Sequence, residues 1–219
     1  MNFRLLDSGW DRILGGAVRA DSSRIRIVCP FIKRRAAERF FQHGKPRSIQ
    51  VITRFNLDCF REGVSDVAAL RYLLERSAQI RGIQNLHAKA YLIGKKRVVV
   101  TSANLTEQAL VRNHEFGFYA EDPAITANCH AYFDQLWDRA KPDLTLSKIE
   151  EWESKLAAAK SAGSAASASP SLGDDGADVG FFQESGNFPT ARIARSRDSS
   201  SSSARVTSGS RRPCQFSRK

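Results

Sequence analysis

Two short β-rich runs, Ala88–Ile93 and Arg97–Thr101, are separated only by Gly94-Lys95-Lys96. So short a gap admits a hairpin turn but no crossover helix, so these strands run antiparallel. The chain before them alternates instead. Trp10–Arg19 reads as a helix. Arg24–Cys29 (RIRIVC) reads as a strand that Pro30 stops. Lys33–Phe41 is a helix ended by the Gly44-Lys45-Pro46 turn, and Ser48–Arg54 is a strand. Ser65–Ser77 is a helix with Ser65 as N-cap and Val67, Leu70 and Leu74 on one face, followed by an extended run at Gln79–Ile83. Beyond the hairpin come a short helix at Leu105–Leu110 and a strand at His114–Tyr119. Pro123–Ala140 is a helix with Ile125, Cys129, Tyr132, Phe133, Leu136 and Trp137 on one stripe, and Leu146–Lys160 is a charged, mostly exposed helix. Alternating elements imply a layered α/β domain, and the hairpin makes its sheet mixed rather than purely parallel.

The pattern changes near Lys160. Residues 161–219 include fifteen Ser, with the run Ser199–Ser203, and show no sustained apolar period. Such a segment buries too little surface to offset its ordering entropy. The expected organisation is a folded domain over 1–160 and a disordered Ser/Ala/Arg-rich tail over 161–219. The 219 residues carry a net charge of +11. The tail holds eight Lys or Arg against five Asp or Glu, so most of the excess sits in the domain. A basic domain of this kind attracts polyanions, nucleic acid first and an anionic membrane surface second. No apolar run approaches the roughly 18 residues of a membrane span. Nothing apolar supplies an insertion element, so membrane-surface contact is not expected. The four cysteines are scattered without zinc-ligand spacing, which argues against structural zinc and fits a free-thiol, cytoplasmic protein.

Chemistry concentrates between residues 86 and 115. On a strand, His87 and Lys89 point to one face, where an imidazole beside an ammonium suits a phosphate. The Arg97–Thr101 strand ends in Ser102 and Asn104, which can donate to the same oxyanion. Asn104 is expected at a helix start, where free N–H groups add positive potential. Glu115 opens the next strand and can accept the second ring N–H of His87. His114 faces away, and His130 reads as a surface or packing residue in a helix. Lys33-Arg34-Arg35 and Lys95-Lys96-Arg97 are basic clusters able to track a nucleic-acid backbone.

In this order, His87-Ala88-Lys89, the hairpin strand, Ser102-Ala103-Asn104 and Asn113-His114-Glu115 resemble the phospholipase D superfamily. Its signature is His-x-Lys-x4-Asp, then a Gly/Ser-x-Asn element and a downstream acid, and the resemblance covers about residues 3–140. It implies an α/β/α sandwich with helices on both faces of the mixed sheet. It implies that His87 is the nucleophile that forms a phosphohistidine, that Lys89, Ser102 and Asn104 hold phosphoryl oxygens, and that Glu115 orients His87. No metal and no cofactor are required. The motif's Asp is Gly94 here, which suits a tight turn and raises the alternative of a nucleic-acid-binding module with a degenerate, inactive site. The family chemistry uses two histidines, and this chain carries one copy of the motif. His43-Gly44-Lys45 lacks the rest of the pattern and is a turn. A homodimer sharing two His87 side chains is therefore expected. The implied function is a metal-independent phosphodiesterase, foremost an endonuclease on DNA or RNA. A lipid phosphodiesterase is a further alternative.

Overall fold

The computed structural model describes residues 2–162 and 171–180. The strands are β1 (Asn2–Leu6), β2 (Arg24–Val28), β3 (Ser48–Thr53), β4 (Gln79–Gly82), β5 (Ala90–Ile93), β6 (Arg97–Thr101) and β7 (Gly117–Glu121). The helices are α1 (Trp10–Ala20), α2 (Arg34–Phe41), α3 (Leu57–Arg61), α4 (Val67–Glu75), α5 (Glu107–Val111), α6 (Pro123–Arg139) and α7 (Leu146–Ala162). The strands form one sheet in the order β1-β7-β6-β5-β2-β3-β4. The pairs β2–β3 and β3–β4 are parallel, and the other neighbours are antiparallel. This is the mixed sheet that the hairpin required.

β5 shows why both faces are covered. All four of its residues, Ala-Tyr-Leu-Ile, are buried. Tyr91 and Ile93 join a core with Trp10, Leu14, Phe40, Phe41, Leu70 and Trp152. Ala90 and Leu92 join a second core with Val28, Ile52, Phe133 and Trp137 of α6. A strand buried on both faces reads as a continuous apolar run. Along β2 the polar Arg26 also faces inward. Arg26 lies 4.7 Å from the centre of the Phe133 ring and ion-pairs with Asp134 at 2.8 Å, so the alternation there separates two covered faces rather than core from water.

Several boundaries move. α4 starts at Val67 behind Asp66, because the Ser65 hydroxyl instead donates to the Ile32 carbonyl and accepts the Ile32 N–H, both at 3.1 Å. α5 starts at Glu107 behind Thr106, whose Oγ1 accepts the Ala109 N–H at 3.2 Å, while Leu105 bridges to Ile32. β7 starts at Gly117, three residues after the expected His114. β1 and α3 have no counterpart in the sequence reading. α7 is less exposed than its charge suggests, since Ile149 and Trp152 are fully buried.

Residues 171–180 depart from the tail reading. They lie along the domain, with Ala177 N–H on the Gly82 carbonyl at 2.8 Å and Leu57 N–H on the Gly173 carbonyl at 2.9 Å. The Trp152 indole N–H donates to Asp175 at 2.7 Å. The Ser199–Ser203 run and the arginines around it lie outside the described residues.

Candidate active site

The strand directions bring the sequence-predicted residues to one end of the sheet. Val28 of β2 pairs with Ala90 of β5, Ala90 with Val100 of β6, and Thr101 with Gly117 of β7. The segments before β5, after β6 and before β7 therefore meet at the same edge. Those segments carry His87 and Lys89, Ser102 and Asn104, and Glu115.

His87 and Lys89 precede β5 rather than lying within it, because regular pairing starts at Ala90. One backbone bond still ties them to the sheet, from Thr101 N–H to the Lys89 carbonyl at 3.2 Å. The Lys89 ammonium lies 3.2 Å from His87 Nε2 and donates to the His87 carbonyl at 2.8 Å. An ammonium only donates, so in a neutral imidazole this contact makes Nε2 the acceptor and leaves the ring hydrogen on Nδ1. His87 is exposed and Lys89 is buried. Burial pulls the Lys89 pKa below its ordinary value, while Cys29 and Glu115 act in the opposite direction.

Glu115 lies in the loop before β7. Its carboxylate accepts the Ser102 hydroxyl and, at 3.1 Å, the Asn113 amide. Ser102 Oγ also accepts the Phe116 N–H at 3.0 Å. Among the described residues Glu115 thus holds Ser102, while the His87 ring is held by Lys89. This differs from the expected Glu115–His87 bond. Three extra loop residues before β7 let the carboxylate fold back onto the β6 terminus.

His87, Lys89 and Ser102 line one cleft of about 580 Å³, whose other wall is Val100, Cys129 and Tyr132. Asn104 is not among its lining residues. Its side-chain oxygen accepts from the Cys29 thiol at 3.7 Å, and the next N–H, of Leu105, donates to the same sulfur at 3.2 Å. Helix α5 starts at Glu107, so Asn104 lies before the helix rather than at its start. Cys29 and Tyr91 form a buried pair behind Asn104, outside the cleft lining, that the sequence reading missed. The Tyr91 hydroxyl donates to the Ala103 carbonyl at 3.1 Å and lies 3.8 Å from the Cys29 sulfur. Desolvation raises both pKa values, which keeps this pair neutral. The available signal was Cys29 at the end of a strand, just before Pro30.

Gly94 occupies the β5–β6 turn at φ +62°, at the sheet end opposite His87. A β-carbon there would lie 1.8 Å from Asp21 Oδ2. A carboxylate from another part of the chain thus fills the space that a side chain at position 94 would need. Among the described residues, no group of three or more His, Cys, Asp or Glu side chains is placed to hold a metal ion.

A solved structure shares this architecture, and others align to parts of it. Nuc from Salmonella typhimurium, a phospholipase D family member, superposes with a TM-score of 0.52 at 15% identity, over 65% of this chain and 99% of its own. NucT from Helicobacter pylori aligns over 63% of this chain and 96% of its own, at 14% identity and a TM-score of 0.47. The phosphatidylserine synthase of Haemophilus influenzae aligns over 71% of this chain and 42% of its own, at 11% identity and a TM-score of 0.47. No protein of curated function shows significant sequence similarity to the chain. Residues 19–137, more than half of the chain, match the family described as cardiolipin synthase, PLD-like domain, and the chain belongs to that phospholipase D-like family.

Proposed function

We propose that the protein is a metal-independent phosphodiesterase acting foremost on nucleic acid, with His87 as nucleophile. The observation that carries this reading is the His87–Lys89 pair, 3.2 Å apart in one cleft with Ser102. A substrate phosphate entering the cleft offers oxygens to the Lys89 ammonium, which then releases Nε2. The freed lone pair attacks phosphorus, a P–N bond forms, and the P–O bond to the leaving group breaks. As charge develops on a non-bridging oxygen, the Ser102 hydroxyl turns its one hydrogen from Glu115 to that oxygen. Water then attacks phosphorus and returns the imidazole. The leaving oxygen needs a proton, and a second His87 from another copy of the chain supplies it. The exposed Phe116, beside Glu115, offers that copy an apolar contact at the site end of the sheet. The positive charge favours a polyanionic substrate.

The test is turnover of bis(4-nitrophenyl) phosphate and of a nucleic acid in EDTA, with His87→Ala alongside. Turnover should persist with chelator and fall by at least about 100-fold in the variant. Loss of turnover in EDTA, or its survival in His87→Ala, contradicts the reading.

The apolar wall of the cleft favours a second reading, a lipid phosphodiester whose glycerol or acyl part meets Val100 and Tyr132. Release of a headgroup from vesicles at a rate exceeding nucleic-acid cleavage would select it.

A further inference from the structure

The two basic clusters of the sequence lie at opposite ends of the sheet. Lys95 and Lys96 sit in the β5–β6 turn, while Lys33 and Arg35 follow the β2 terminus at the end where His87 lies. A five-residue strand, about 17 Å, separates the two ends. The site-end cluster forms one wall of a groove of about 710 Å³ between α2 and α5. Five cations line this groove against two carboxylates, Asp66 and Glu107.

Most of these cations are already committed. Lys33 pairs with Asp66 at 2.9 Å, Arg34 with Glu38 at 2.6 Å and Arg39 with Asp11 at 2.7 Å. Arg35 and Arg112 are exposed, and among the described residues neither has a carboxylate partner. Arg35 and Arg112 thus leave two guanidiniums on the groove without an ion pair, available to an external anion, with Glu107 the one unpaired carboxylate among the lining residues.

The groove and the catalytic cleft are two sides of one loop. Ser102 lines the cleft and Thr106 lines the groove. Between them, Leu105 is stitched to the α2 entry by a Lys33 N–H bond to its carbonyl at 2.9 Å. Four residues of chain span at most about 14 Å. A nucleic-acid strand advances about 3.4 Å per charge in a duplex, so it reaches the groove within about four nucleotides of the reacting phosphate.

We infer that this groove holds the nucleic-acid strand flanking the scissile phosphate, with Arg35 and Arg112 on its backbone phosphates. The inference rests on the nucleic-acid reading above and names the surface that carries it. Lys95 and Lys96 provide a matched control, since removing them deletes the same charge at the far end.

The experiment titrates a fluorescein-labelled 20-nucleotide single-stranded DNA by anisotropy at several salt concentrations. The proteins are the unaltered chain, Arg35→Ala/Arg112→Ala and Lys95→Ala/Lys96→Ala. All four side chains are exposed, and circular dichroism checks the fold. The groove variant should bind at least about 10-fold more weakly, with a salt slope smaller by about 1.4, two single-strand phosphate contacts. The far-end variant should keep both within about 2-fold. Equal weakening of both variants, no weakening of the groove variant, or binding only to anionic phosphatidylglycerol vesicles overturns the groove. Turnover of bis(4-nitrophenyl) phosphate is read separately. Its absence removes the catalytic reading and leaves the groove to be judged by binding alone.

Discussion

At Lys89 the site keeps a cation where burial disfavours charge. Its pKa in the folded protein lies below the unfolded value. The folded state therefore sheds the proton first as pH rises. The penalty for burying the charge applies in full below the folded pKa and fades between the folded and unfolded values, so this residue's contribution to stability improves on the alkaline side. Function runs the other way, because a neutral lysine no longer attracts phosphate. Turnover should decline at a pH below the ordinary lysine range, as read from a pH–rate profile. Lys89→Met keeps the stem and removes the charge. It should lower turnover by about 100-fold or more while leaving the thermal midpoint unchanged or raised, since a desolvated charge is gone. A second residue-scale prediction concerns the turn. Gly94→Ala forces a side chain into left-handed backbone at about 1–2 kcal/mol and drives its β-carbon into Asp21. Gly94→Asp should be at least as destabilising, and Asp21→Gly should recover part of that loss. A urea-melt double-mutant cycle should show a coupling of about 1 kcal/mol or more, and additivity would refute the account of this turn.

At the scale of elements, the hairpin and the strong helix α6 were legible because each rests on a local pattern, and the order of motif residues was legible as a family resemblance. The failures share one physical cause, contacts distant in sequence. Ser65 is a good N-cap by type, yet its hydroxyl is taken by Ile32, thirty-three residues away. The sequence assigns Glu115 to His87, but loop 113–116 turns it to Ser102. α7 reads as a solvated helix, but Ile149 and Trp152 anchor it. The ring of Trp152 lies 5.0 Å from that of Phe55 and 5.8 Å from that of Phe60. Residues 171–180 are polar enough to resemble a tail, and their ordering comes from backbone bonds to the 55–57 and 82–84 segments that no local pattern announces. Asp175→Ala would leave the Trp152 indole N–H without its acceptor. It should cost about 1–3 kcal/mol in urea unfolding, and a neutral result would mean that 171–180 adds no stability through this contact.

At the scale of the whole molecule, the chain presents one His87, one cleft and a basic groove on the other side of the same loop. The sheet delivers these together because β5 and β6 form a hairpin whose open end coincides with the end of β2. That convergence was legible as a family resemblance. The division of labour within it was not, because side-chain pairing between Lys89 and His87, and between Glu115 and Ser102, depends on where loops end. The central claim is that His87 forms a bond to phosphorus. It is tested most directly by rapid acid-free quenching of the protein during turnover of a phosphorus-labelled diester, followed by peptide mass spectrometry. The account predicts a phosphoryl adduct, stable to alkali and lost in acid, on the peptide containing His87 and absent from His87→Ala. Turnover proceeding at full rate with no adduct on that peptide at any quench time would contradict it.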